Sequence, residues 1–339
     1  MKVLQYFENQ GLLSKSGIGH AQKLQQEALS STDVIVTTNA HSTDFDILHI
    51  NTYGLWSMHQ IKRAKRMGKK VIYHAHSTYE DFRNSFILSN LIAPFYKKWL
   101  LHLYSSADAL ITPTEYSKQL LQSYGLKQPI YPVSNGVQIE KYKNDKKKIE
   151  KFRQYIHAQP DEKIVISVGL YFERKGILDF VELAKRHPEY KFVWFGHTSM
   201  WLIPNKIKKI LVDHPKNLIF PGYQTGDILQ GAYSGADLFL YPSYEETEGI
   251  VVLEGLASSQ KMLVRDIPVY DGWLEDRKNV YKAKDLTDFD FKMVQILSGK
   301  YKDLSKNGYR VAKNKNLPVV GHDLQKVYSE VLGEKVNVK

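Results

Sequence analysis

Cysteine is absent from the chain. That excludes a disulfide framework, a thiolate metal centre and a cysteine nucleophile, and it fits a reducing cytoplasm. No stretch approaches the roughly eighteen uncharged apolar residues of a membrane span, and the first residues, MKVLQYFENQ, read as a short strand, not as the apolar core of a signal peptide. No internal repeat or low-complexity tract is visible. Acidic residues are the scarce charged class: 36 Asp and Glu stand against 47 Lys and Arg, a formal net charge of +11. These absences describe a chain that is soluble or peripheral to a membrane. The charge calls for an anionic partner, which a nucleotide, an anionic membrane or a nucleic acid would each supply.

The 339 residues are 43% hydrophobic and 24% charged, ordinary for a globular protein and enough for two domains, each with its own core. Strand-like runs alternate with helix-like runs, which points to parallel sheets with crossover helices. The strand candidates are 2–7, 33–37, 47–50, 70–74, 109–112 and 130–133, and then 163–168, 191–195, 217–220, 237–241 and 261–264. Helix candidates include 19–30, 57–67 and 116–124. A lysine-rich stretch, 140–163, marks the connection. The expected organisation is α/β: one Rossmann-like domain over 1–155, a second over 156–320, and a helix in 321–339 packing back toward the first. The two domains are expected to face one another across a cleft.

Residues 242–257, PSYEETEGIVVLEGLA, carry most of the chemistry. They read as a strand end, a glycine turn and a helix start. Glu246 lies on the turn and Glu254 in the helix, eight positions later. A helix N-terminus presents unpaired N–H groups to an anion such as a diphosphate. Carboxylates beside it are hydrogen-bond acceptors for sugar hydroxyls. A solvated acidic helix start is the plainer alternative.

With that architecture, Pro242, Ser243, Glu246, Gly249 and Glu254 resemble the donor motif of glycosyltransferase family 4, retaining and metal-independent enzymes of the GT-B fold. The resemblance implies that Glu246 binds donor-sugar hydroxyls and Glu254 the ribose, and that the backbone from Thr247 through Gly249 and Ile250 meets the pyrophosphate. Further segments are similar to the family. In Val168–Gly176, Lys175 takes the place of the lysine that neutralises the diphosphate. Where the family usually has an arginine, five residues earlier, this chain has Leu170, and Arg174 is the candidate replacement. Gly17 and Gly19, after Ser16, resemble the N-domain glycine loop. Asn135 sits in the Asn-Gly-Val turn that ends the N-domain. His76, with His74 second, takes the place of a histidine near the reacting sugar. The implied catalytic group is therefore His76, Glu246 and Lys175, with a UDP-hexose as co-substrate and no cofactor or metal.

The stretches HINTYG (49–54), HAHSTYEDFRNSF (74–86), ETEGIVVLE (246–254) and VRDIPVYDGW (264–273) resemble a subgroup of the family, the streptococcal and lactobacillal glycolipid synthases that add a second hexose to monoglucosyl-diacylglycerol. This implies a UDP-glucose or UDP-galactose donor, a glycolipid acceptor used in anchoring lipoteichoic acid, and a place on the inner face of the cell membrane. Asp266 and Tyr270 fall where the donor pocket is shaped. The basic, aromatic segment 82–104 fits an interfacial element, with Phe82, Arg83, Phe86, Lys97, Lys98 and Trp99 as acceptor- or membrane-side residues. A core helix with a basic face is the alternative.

Other readings of the same residues remain. His74 and His76 have the spacing of a metal pair on one strand face, without a third ligand at a sensible spacing. Asp44-Phe45-Asp46 and Asp288-Phe289-Asp290 have the form of cation-binding tripeptides but read better as caps and turns. No nucleic-acid-binding module accompanies the positive charge. A transferase acting on a soluble saccharide, and a non-catalytic subunit lacking a full phosphate clamp at Leu170, are the remaining alternatives.

Overall fold

The computed structural model describes residues 1–8, 11 and 16–334. The chain forms two units, one of 1–80, 91–137 and 315–339, the other of 81–90 and 138–314. The N-terminal unit holds six parallel strands: β1 (Lys2–Tyr6), β2 (Ile35–Thr37), β3 (Ile47–Ile50), β4 (Lys70–His74), β5 (Ala109–Thr112) and β6 (Ile130–Pro132). Their order across the sheet is β2-β1-β3-β4-β5-β6. The C-terminal unit holds β7 (Ile164–Val168), β8 (Lys191–Phe195), β9 (Leu218–Gly222), β10 (Leu238–Tyr241), β11 (Met262–Arg265) and β12 (Tyr281–Ala283), ordered β12-β11-β10-β7-β8-β9 and again parallel.

Strands β3, β5 and β10 are buried at every position. That is why their sequences, ILHI, ALIT and LFLY, read as continuous rather than alternating apolar runs. Each sheet has its own core. One gathers Leu48, Ile50, Tyr73, Leu103 and Leu110, the other Phe180, Phe192, Trp194, Leu240 and Phe289.

In open parallel sheets ligands bind beyond the carboxyl ends of the strands where the strand order reverses. In the C-terminal unit that point lies between β7 and β10, the strands that run into Lys175 and Glu246. In the N-terminal unit it lies between β1 and β3.

Two features of the expected organisation change, the domain boundary and the place of 81–90, while the last helix packs on the first unit as expected. The boundary falls at 137/138, not at 155, because helix Lys146–Tyr155 packs on helix Gly226–Gly235, where Gly231 and Gly235 leave room for its backbone and Ile149. The 81–90 segment, embedded in the first half of the sequence, belongs to the C-terminal unit. Helix Leu317–Leu332 belongs to the N-terminal unit: Gly321 sits against the Ala28 carbonyl of helix Gly17–Leu29, closer than a Cβ would allow. Residues 335–339 of the expected tail lie outside the described residues. Strand β12 was not expected; three residues give no readable alternation.

Candidate active site

Two turns meet at the carboxyl ends of β7 and β10. After β7 the chain makes a short turn ending at Gly176, φ 75°, from which helix Ile177–Arg186 begins. A Cβ at Gly176 would collide with the Pro242 carbonyl at the end of β10. Glycine is therefore required here for two reasons, left-handed backbone and close approach, and that approach brings Lys175 to Glu246. The Lys175 ammonium donates to Glu246 Oε1 and, at 3.3 Å, to Tyr241 Oη. The same carboxylate oxygen accepts from Tyr241 (2.6 Å) and Ser243 (2.7 Å). Among the described residues none donates to Oε2, and an ammonium has three N–H donors, of which Lys175 uses two. The pair thus keeps one acceptor and one donor uncommitted. Burial pushes the Glu246 carboxyl up, but the charges of Lys175 and Arg174 outweigh it and hold it below the usual carboxylate value. Burial, with the Arg174 charge, lowers the Lys175 ammonium against the pull of Glu246 and Asp81.

After Glu246 the chain turns at Gly249, φ 89°, and helix Ile250–Ala257 begins with no side-chain cap and no acidic residue in its first turn. An uncapped N-terminus leaves its first N–H groups without helical partners, an arrangement that suits an anion. Beneath it, the buried Tyr270 hydroxyl has no partner among the described residues and lies 3.5 Å from where a Gly249 Cβ would stand. Glu254, in the helix, is buried and accepts from Tyr142 and, at 2.6 Å, from Tyr233.

Arg174 is a fastening residue. Its Nη1 reaches Asp81 Oδ1 (2.9 Å) and the Glu245 carbonyl (3.1 Å), and its Nε donates to Ser85 (2.8 Å). The guanidinium ties the 81–90 segment to the turn carrying Glu246. Its charge still acts on Glu246, while Nη1 and Nε, two of its three nitrogens, are engaged with protein groups.

In the N-terminal unit three histidines stack. His49, on β3, lies parallel to His74, on β4, at 5.4 Å between ring centres, and His74 to His76 at 4.1 Å. His76 Nε2 is 2.9 Å from Asn51 Oδ1, His74 Nδ1 is 2.9 Å from the Gln25 amide, and His49 Nδ1 is 2.7 Å from the Tyr328 hydroxyl. Burial lowers His49 and His76 to about 3, the His49 charge adding to the second. Burial and both neighbours push His74 well down. The rings are neutral at physiological pH. Ser16 caps helix Gly17–Leu29, its hydroxyl accepting from Gly19 N at 3.2 Å.

Residues 33–141 match the family model described as Glycosyltransferase Family 4, and residues 148–311 the one described as Glycosyl transferases group 1. The processive diacylglycerol alpha-glucosyltransferase of Acholeplasma laidlawii is 41% identical over 98% of this chain and 99% of its own length. The chain belongs to glycosyltransferase family 4. Also similar is the alpha-galactosylglucosyldiacylglycerol synthase of Streptococcus pneumoniae, 26% identical over 73% of this chain and 67% of that protein. Among solved structures, a sucrose-phosphate synthase from Thermosynechococcus elongatus superposes with a TM-score of 0.80 at 14% identity, covering 98% of this chain and all of that one. The Anabaena protein HepE, in complex with UDP and glucose, gives 0.75 at 14%, over 97% of this chain and 100% of its own. The fold is GT-B.

The glycosyltransferase brings Lys175, Arg174, Glu246, Gly249 and Glu254 together in its C-terminal unit. Gly17, Gly19 and His76 lie in the N-terminal unit. The four acidic residues of the aspartate tripeptides are engaged elsewhere: Asp44 and Asp46 with Lys2, Asp288 with Lys292, Asp290 with Arg186 and His187. Asp266 faces Lys282 at 3.4 Å. Within the segment 82–104 the side chains differ in exposure. Trp99 is half-buried and donates to the Tyr53 carbonyl (2.6 Å), Lys97 folds over the Tyr124 ring (4.1 Å), and Phe82 and Phe86 are half-buried against one another. Arg83 and Lys98 are exposed, as are the aliphatic and aromatic residues Leu91, Ile92 and Phe95. Sequence reasoning favoured bulky aromatics, whereas amphipathic spacing from Leu91 to Phe95 was the signal for the open face. It also missed Tyr241, Tyr142 and Tyr233, the hydroxyl donors to the two glutamates. Nothing in the sequence distinguishes them from the other 19 tyrosines of the total 22.

Proposed function

We propose that this glycosyltransferase moves a hexose from a UDP-sugar to a membrane glycolipid with retention of anomeric configuration and without a metal ion. The observation that carries the reading is the buried Lys175–Glu246 pair beside the uncapped helix at Gly249, in a chain aligned end to end with a diacylglycerol glucosyltransferase. Lys175 and the helix N-terminus stabilise negative charge as it develops on the leaving diphosphate. Glu246 Oε2 accepts from a hydroxyl of the transferred hexose and fixes its orientation. Glu254, held by two tyrosine hydroxyls, takes the ribose. His76, neutral, serves as a hydrogen-bonding group toward the acceptor side. The exposed Leu91, Ile92 and Phe95 with Lys98 suit a peripheral place on an anionic bilayer at the inner face of the cell membrane.

The test is UDP release from UDP-glucose and UDP-galactose in turn, with and without monoglucosyl-diacylglycerol dispersed in detergent. Release that depends on the glycolipid is expected, and UDP-glucose is the first donor to try. Release stimulated only by a soluble saccharide would replace the acceptor; no release with either donor would remove the catalytic reading.

A further inference from the structure

The C-terminal unit carries an apolar patch that the catalytic reading does not use. Within it, Ile87 N donates to the Leu202 carbonyl at 2.9 Å, which sets the 87–88 tip beside the turn at 199–202. Four large apolar residues on these two segments face solvent: Ile87 is 40% exposed, Leu88 62%, Met200 46% and Trp201 75%. Leu88 also has φ 65°, a conformation rare for a bulky residue. A strained backbone that holds a leucine in water is a functional marker.

The patch is fastened at both segments. Asn84 and Asn90 clasp the loop at its base: Asn84 N donates to Asn90 Oδ1 at 2.9 Å, and Asn90 Nδ2 to Asn84 Oδ1 at 2.8 Å. Arg174 bolts the loop through Asp81 and Ser85 to the turn that carries Lys175 and Glu246. On the other segment, Ile203 and Ile207 anchor the turn and the helix Asn205–Val212 in the core. Exposed bases flank the apolar residues, Arg83 on the loop and Lys209 on the helix, with Lys206 beside them paired to Glu173 at 2.5 Å. Apolar tips with a basic rim match an anionic bilayer interface, where apolar residues bury beneath the headgroups and bases meet the phosphates.

We propose that the 81–90 loop and the 199–204 turn form a bilayer-docking patch on the donor-binding unit, inserting Leu88 and Trp201 into an anionic membrane. The proposal rests on the membrane-acceptor reading and goes past it: a lipid contact is tied through Arg174 to the donor site.

The test compares the full chain with Leu88→Asn, Trp201→Ser and the double variant on phosphatidylcholine vesicles with and without phosphatidylglycerol. Both positions are exposed, and asparagine adopts left-handed backbone more readily than leucine, so folding is maintained. The double variant is expected to bind anionic vesicles about tenfold or more weakly. Its transfer to detergent-dispersed glycolipid stays at the wild-type rate. Brominated lipids should quench the wild type more than Trp201→Phe. Unchanged vesicle binding by the double variant, or equal quenching, overturns the patch while leaving the acceptor reading intact. Self-association of the wild type that the double variant abolishes, with vesicle binding retained, would assign the patch to a second copy and overturn it too. Absent transfer by the wild type to dispersed glycolipid strikes the acceptor reading instead.

Discussion

Glu246 holds Lys175 by an ion pair and two hydroxyls by hydrogen bonds through one carboxylate oxygen, and its other oxygen accepts from none of the described residues. Removing the side chain would strand a buried ammonium, so Glu246→Ala would confound loss of chemistry with loss of fold. Glu246→Gln keeps the acceptor and loses the charge. We expect turnover to fall by at least ~100-fold and stability by about 2–4 kcal/mol, read by UDP release and urea denaturation. Wild-type turnover in that variant would remove Glu246 from the site. Gly176→Ala tests the approach of the two turns. A left-handed alanine facing the Pro242 carbonyl should cost about 2 kcal/mol or more and abolish transfer. A thermal melt beside the activity assay would show both, and a stable, active variant would refute the close approach. The Lys-Gly and Pro-Ser dipeptides were legible as a motif. That the glycine exists to let a lysine reach a glutamate across a carbonyl was not, because a collision between residues 176 and 242 has no trace in local sequence.

At the scale of elements, the strands were readable because buried parallel strands are short apolar runs between turn residues. Strands β3, β4, β5 and β8 have the expected bounds, β1, β2, β6, β7, β9, β10 and β11 differ by a residue or two at one end or both, and β12 had no counterpart. What the runs do not announce is how polar side chains on neighbouring strands stack. The His49, His74 and His76 rings lie on β3, on β4 and just beyond it, and all are held neutral. The sign of the pH dependence follows. Unfolded histidine titrates near 6.5, while His49 and His76 do so at about 3 in the fold. Their contribution to stability is therefore complete above ~6.5 and is lost as pH falls toward 3. The urea midpoint should decline between pH 7.5 and pH 5, with a shallower slope in His49→Gln. A flat profile would contradict the buried stack.

For the molecule as a whole, the last helix, Leu317–Leu332, completes the N-terminal unit: Tyr328 meets His49, and Gly321 admits the backbone of helix Gly17–Leu29. Truncation after Asn314 should therefore destabilise the N-terminal unit by several kcal/mol and leave the C-terminal unit folded. Limited proteolysis with fragment identification reads this directly; equal loss of both units would contradict the partition.

The sequence by itself determined the fold class and the family, since burial pattern, turn residues and short motif spacing are local. Tertiary structure alone decided the 137/138 boundary, the transfer of 81–90 to the other unit, the tyrosines that hold the two glutamates, and which apolar residues of 82–104 face water. Each depends on contacts between residues distant in the chain, where one tyrosine or leucine reads like any other until its neighbours are in place.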